Sequence, residues 1–429
     1  MNDAHQKFLE AMSAADVGAA FPSLKPAREA ARASLRQIGF PTTRQEEWRF
    51  TNMAPLLELP LHSAAKNGIH VSAKDIAPFR FETNGPCLVF IDGWFHQDLS
   101  ALPAKETGLT VGSLRQFSSE AEKHLTRHAK FDTNFFTALN TAFFQDGAYV
   151  SVPNGVTLEQ PIQLLFVAAS DKPGAMAQVR NLIVAGSGSA FKVVETYASF
   201  TAAAHVTNAV TELVLGAAAR VEHCRVQSEN AQAFHIATVQ AAQEKDSHWL
   251  SHSIASGARL ARNQIQALLN APGAEAVLNG LYLGRNDQLV DHHTVVDHAK
   301  PNCESHEFYH GILSDSSHGV FNGKIFVRKD AQKTNAKQTN RNLVLSENAV
   351  IDTKPQLEIF ADDVKCTHGA TVGQLNDEAL FYLRSRGISS AHARRMLIRA
   401  FASDVVGRIT IGPVRERLDQ LLTERFDRA

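Results

Sequence analysis

With 429 residues, 44% of them hydrophobic and 20% charged, the chain has enough apolar material for a large core, and its length suggests two or three structural units. Its 43 lysines and arginines almost cancel 44 aspartates and glutamates, leaving no electrostatic footprint for nucleic acid or an anionic membrane. The four cysteines, Cys87, Cys224, Cys303 and Cys366, include no C-x-x-C pair, which argues against a self-contained cluster, a structural zinc site or a disulfide framework.

The N-terminal MNDAHQKFLEAM lacks a basic segment followed by an apolar run, so no secretory signal is read there. Apolar stretches such as QLLFVAAS (163–170) are far shorter than the ~18 residues of a membrane span; a soluble, cytoplasmic protein with reduced thiols is expected. The first 60 residues read as helical, with Pro26 in a first turn, AREAARASLRQI behind it and Gly39 closing the helix. Pro41 forces an exit, and TRQEEWRFTN begins a second local unit. A strand is predicted at CLVFIDG (87–93), and helices around 114–128 and 132–144.

After Tyr149 the texture becomes serial short strands: IQLLFVAA, NLIVAG, FKVVETY, TELVLG, VLNGLYLG, HTVVD, KIFVR, NLVLS and QLEIF. Several alternate as half-buried strands do, Leu357 and Ile359 against Gln356, Glu358 and Phe360. One stretch near 258–270 is ambiguous between strand and helix. A sandwich, a propeller or a β-solenoid would all fit. Glycines at 186, 216, 257 and 273 show no fixed period, whereas the polar run KTNAKQTNRN (333–342) suits Asn/Gln/Thr ladders between stacked strands and favours a solenoid. The tail returns to helix: Ser389 and Ser390 are caps for a helix carrying Met396, Leu397, Ala400, Phe401 and Val405 on one stripe, and a second helix follows Pro413. The expected units are 1–148, 149–375 and 376–429.

Several motifs compete for function. HEFYH (306–310) fits the H-E-x-x-H zinc-hydrolase pattern through His306, Glu307 and His310, but Pro301 and Gly311 leave little room for the helix it needs. GVFNGK (319–324) and GSGSAF (186–191) lack the residues of a phosphate loop, so any ATP hydrolysis belongs to another subunit. His292, His293 and His298 in DHHTVVDH are possible metal ligands or ordinary strand-face residues; Cys303, beside Glu304 and His306, is another possible ligand, and Cys224 reads as a small buried hydrophobe. In TKPQLEIFADDVKCTHGATVGQL (353–375), Cys366 and His368 are two apart. On an extended backbone they share a face, within reach of one metal. Two ligands do not hold a cluster, so other residues or a partner subunit must complete the site, unless both are packing residues at the end of a sheet.

The run 353–373 resembles the C-terminal signature of the SufB/SufD family of the SUF iron–sulfur cluster machinery. GVFNGKIFV (319–327), KTNAKQTNRNLVLS (333–346), FYLRSRGIS (381–389) and PTTRQEEWRFT (41–51) are similar to further family segments. Gly369 stands where the SufB type carries a glutamate, and the early segment also resembles the SufD branch. The resemblance implies a mainly β fold: a right-handed parallel β-helix core flanked by an N-terminal helical (α/β) region and a C-terminal helical domain. It also implies a non-catalytic scaffold in complex with SufB and the ATPase SufC, which docks on the C-terminal domain. A nascent iron–sulfur cluster would be shared transiently with SufB, with none expected on the isolated chain, and His368 becomes the leading ligand and Cys366 the second. A homodimer is possible without SufB. Flavin is associated with the family's complexes, but no residue places it on this chain.

Overall fold

A computed structural model describes residues 3–13, 21–66, 69–103 and 108–427. Before the core come the helices α1 (Asp3–Ser13) and α2 (Lys25–Ile38), the one-turn helices α3 (Ala73–Ile76) and α4 (Ser118–Ala121), and α5 (Phe135–Phe143). The short strands β1 (His62–Ser63), β2 (Cys87–Ile91), β3 (Trp94–Phe95) and β4 (Thr110–Ser113) lie among them. α2 carries Pro26 in its first turn and stops at Gly39 (φ 70°) as expected; residues 14–20 of the predicted helical stretch lie outside the described residues. The helix predicted over 114–128 shrinks to α4 and a series of turns. The buried Glu212 carboxylate accepts the backbone N–H groups of Thr126, His128 and Ala129, satisfying donors that a helix would otherwise have used.

The core is a parallel β-solenoid. One sheet stacks β5 (Ala148–Val152), β7 (Ala175–Ala185), β9 (His205–Leu215), β11 (Phe234–Gln243), β13 (Leu260–Leu269), β15 (Leu289–His298), β17 (His318–Val327) and β19 (Val350–Ile359). The facing sheet stacks β6 (Ile162–Ala168), β8 (Ala190–Ser199), β10 (Arg220–Gln227), β12 (His248–Ala255), β14 (Glu275–Gly284), β16 (Glu304–Leu313), β18 (Asn335–Val344) and β20 (Lys365–Gly373). Two strands per turn make about eight turns. The ambiguous stretch near 258–270 is strand β13.

The repeat is a backbone feature that the glycines do not mark. Two residues before each strand from β8 to β18 of the second sheet, the chain turns through a left-handed residue. These are Gly188, Ala218, Asp246, Gly273, Asn302 and Lys333, with φ between 55° and 74°. A hydrogen bond from the N–H of Gly188, Ala218, Asp246, Asn302 or Lys333 ties each of those corners to the next turn. Only two of the six are glycine, and the rung varies in length: His248 lies over Glu275, but Glu304 over Asn335.

Alternate residues of each strand face the interior, which is apolar over the early turns: Ile162, Leu164, Phe166, Val193, Leu213 and Ile265 belong to one cluster. The outward residues are covered from two sides. α2, α5 and the segment around Trp48 pack on Met176, Val206, Phe234 and Leu260 of the first sheet. α7 (Ser390–Val406) and α8 (Gly412–Asp427), which follow α6 (Asp377–Ser385), pack on Val194, Cys224, Ile254 and Ile312 of the second. Ser389 caps α7, its hydroxyl accepting from the N–H of His392. The first turn is closed, with β4 antiparallel to β5 and β2 paired to β6; among the described residues β19 and β20 have no strand beyond them. No described helix is long and apolar enough to cross a membrane.

Candidate functional site

The terminal rung, β19 and β20, carries the residues that the spacing argument singles out. Cys366 packs with Ala336, Leu357 and Val364, which defines the interior face of β20. His368, two residues on, shares that face and is exposed. In register, Cys366 lies over Ala336 and His368 over Gln338, so both ligand-type side chains stand at the open mouth of the solenoid interior. Burial pushes the Cys366 thiol up from its ordinary value, so it is a thiol until a metal or base removes the proton. Gly369 and Gly373 have open space where a β-carbon would be. The rim adds apolar surface that is costly to leave in water: Val350, Phe360 and Val372 are each more than half exposed.

Below the mouth the interior becomes polar. Asn340 donates to Tyr282 Oη at 3.1 Å, Asn342 to Asn340 Oδ1 at 2.6 Å, and Thr353 to the same Oδ1 at 2.9 Å. Glu307, completely enclosed, accepts from the Thr294 hydroxyl and, at 3.0 Å, from Gln338 Nε2. With no cation against it, burial pushes its carboxyl up to about 7, the hydrogen bonds from Thr294 and Gln338 opposing only part of the shift. Sequence reasoning missed this column, although a signal was present: within KTNAKQTNRN, Gln338, Asn340 and Asn342 are buried while Lys337 and Arg341 are exposed.

The other candidates are dispersed. HEFYH lies on β16, a strand, because parallel pairing with β14 and β18 occupies its backbone. His306 and His310 are therefore about 13 Å apart along one face, and Glu307 points to the opposite face. His310 is held by the Phe401 carbonyl at 2.8 Å, so the zinc-hydrolase alternative loses its geometry. GVFNGK is likewise strand, in β17; a β-carbon at Gly323 would collide with the Gln338 amide. GSGSAF forms the corner before β8.

The three histidines of DHHTVVDH do not converge. His292 faces inward beside Ser253 Oγ at 3.1 Å, His298 beside Ser305 Oγ at 2.8 Å, and His293 faces outward to Asp291 and Glu47. Cys303 is buried, its thiol 3.3 Å from the Ala271 carbonyl, and Cys224 lies in the apolar layer under the C-terminal helices. No group of three or more metal-binding side chains occurs among the described residues. Cys366 and His368 thus remain two ligand-type side chains on one strand face, fewer than the roughly four ligands that hold a cluster.

A long parallel solenoid with a closed first turn, an open last turn and helices on both flanks defines the class as a helix-flanked β-solenoid protein. Comparison with known proteins specifies it. A profile described as "SUF system FeS cluster assembly, SufBD core domain" matches residues 166–401, and one described as "SufBD protein N-terminal region" matches 5–164. An iron–sulfur cluster assembly SufBD family protein of Synechocystis is 34% identical over 93% of this chain and 90% of its own length. The iron–sulfur cluster assembly protein SufD of Escherichia coli is 31% identical over 86% of each chain, and that of Bacillus subtilis 31% over 72% and 71%. The chain belongs to the SufBD family, and its role lies in iron–sulfur cluster assembly.

Proposed function

We propose that this chain is a non-catalytic scaffold subunit that works in the cytoplasm with SufB and the ATPase SufC. Its open solenoid end lends His368 and Cys366 to a nascent cluster completed by SufB. The observation that carries this reading is the terminal rung: two ligand-type side chains on the interior face of a strand with no partner beyond it, ringed by Val350, Phe360 and Val372. A second solenoid end docked there would cover that surface and supply the missing ligands. Thiolate suits iron, and neutral imidazole is the more readily exchanged ligand, a combination fitted to building and then releasing a cluster.

The C-terminal helices are the proposed SufC contact. α6 has no buried residue, and its Phe381 and Tyr382 are exposed, as is Met396 on α7. Because α7 and α8 also pack on the outer face of the second sheet, ATP-driven movement of these helices has a direct mechanical path to the solenoid. Iron and sulfide content of the anaerobically purified complex with SufB and SufC tests the reading. Loss of cluster in His368→Ala, with the complex still assembled, supports a ligand at this end. Unchanged cluster takes the chemistry off this chain.

A further inference from the structure

One inward column of the second sheet runs His223, Ser251, Leu278, Glu307, Gln338, His368. Its last three members are polar and lie on successive rungs, about 4.8 Å apart. The middle one, Gln338, is 1% exposed. Its amide nitrogen is committed downward to Glu307 Oε1 at 3.0 Å, while its amide oxygen is buried and has no hydrogen-bond partner. A buried, unpaired carbonyl oxygen is expensive, and here it belongs to the residue directly beneath His368.

The surroundings hold Gln338 in this posture. As a carboxylate, Glu307 accepts through both oxygens, one from Gln338 and one from Thr294, which orients the Gln338 amide with its nitrogen toward Glu307 and leaves its oxygen unpaired. Across the interior, Gly323 contributes no side chain; any β-carbon there would strike the Gln338 amide nitrogen. The second glycine of GVFNGK, which has no role as a phosphate loop, makes room for this side chain. Thr294 and Glu307 are themselves fully enclosed, so the anchor is rigid.

We propose that Gln338 is the positioning residue for His368, its amide oxygen accepting the ring N–H that His368 does not use as a ligand, with Glu307 as the anchor that aims it. This rests on the reading of His368 as a cluster ligand. An imidazole that binds metal through one nitrogen needs its other N–H fixed, because that bond selects the tautomer and the ring plane and raises the basicity of the ligating nitrogen. The structure leaves this acceptor unpaired beneath His368, and a turn of the exposed His368 side chain over it makes the bond.

Ring-labelled histidine NMR of the full chain, without metal, tests the pairing directly, with the His368 signals assigned by their loss in His368→Ala. The native chain should show His368 biased to one tautomer. In Gln338→Leu that bias should relax toward the tautomer mixture of a solvated imidazole, while the signals of His392, on α7, stay fixed. Glu307→Gln, which keeps the enclosed shape, should weaken the bias partially and covers the case in which Gln338→Leu fails to fold. A His368 tautomer pattern identical in native and both variants overturns the proposal. The complex then separates the two readings. If His368→Ala abolishes the cluster, Gln338→Leu should lower iron affinity roughly tenfold or more, and native affinity in Gln338→Leu overturns the positioning role. If His368→Ala leaves the cluster intact, the ligand reading fails on its own, while the tautomer shift still decides the pairing.

Discussion

At the first turns of the solenoid, Phe90, Phe166 and Tyr197 stack through the interior with centroids 4.8 and 4.9 Å apart, and β2 and β4 extend the sheets beyond it. Toward the last turn the interior is lined by Gln338, Asn340, Asn342 and Thr353, and no described strand pairs with the outer edge of β19 or β20. The same backbone arrangement therefore ends in two ways. An apolar, capped end stabilises the fold by excluding water, whereas a polar, open end gives up part of that stabilisation and keeps hydrogen-bonding and ligand groups available. What a solenoid end does is decided by which residues face inward on its final rung.

The largest test of the contrast removes apolar volume from the closed end. Phe166→Ala should destabilise by about 3–5 kcal/mol, read as a lower urea midpoint, because the stacked rings around it do not collapse into the space. Comparable damage is expected at Arg180→Met, in β7 near the closed end of the first sheet. There Glu212 would keep its buried carboxylate without the guanidinium that now pairs with it at 3.0 Å through Nε, a loss of about 3–5 kcal/mol.

The polar interior should respond to pH with opposite signs in different turns. Burial raises the Glu195 carboxyl, but His223 and Arg225 outweigh it and hold the group at about 2. The unfolded carboxyl titrates near 4.5, so this contribution is full above that pH and is lost as pH falls toward 2. Burial holds His298 down to about 4; its unfolded form takes up a proton near 6.5, so stability falls as pH drops from about 6.5 to 4. Glu307 runs the other way. Its folded carboxyl is up at about 7 against 4.5 unfolded, so stability declines as pH rises from 4.5 to 7. Glu307→Gln should remove that decline and raise stability at pH 8 by about 1–3 kcal/mol, measured by urea unfolding at pH 5 and pH 8.

The smallest expected stability change is at the open end. Val372→Asp should shift the urea midpoint of the isolated chain by no more than about 0.5 kcal/mol, since Val372 is 53% exposed and lies beside open space. The same substitution should weaken assembly with SufB, measured by size-exclusion chromatography of the mixed chains. A large loss of stability in the isolated chain would mean that the open end is part of the folding core.

Much of this was legible in the residues. The helix from Lys25 to Ile38 was readable because Pro26 and Gly39 act locally, through φ alone. The strand alternation of Leu357 and Ile359, and the placing of Cys366 and His368 on one face, follow from the two-residue period of an extended chain. The 114–128 helix was misread because Glu212, 84 residues beyond His128, takes the backbone donors of that segment, a contact no local window contains. The repeat was hidden because a left-handed corner tolerates Ala218, Asp246, Asn302 and Lys333 as well as glycine.

Local chemistry in the sequence by itself determined the strand-rich core, the helical flanks, the family and the Cys366–His368 pair. Only the tertiary structure decided what stands above and below each residue. Register between turns is set by rung lengths that vary, so the sequence has no fixed offset from which to place Gln338 under His368 or Glu307 under Gln338. The same stacking turned HEFYH from a metal motif into a strand and left Cys366 and His368 on an open rung with its interior exposed.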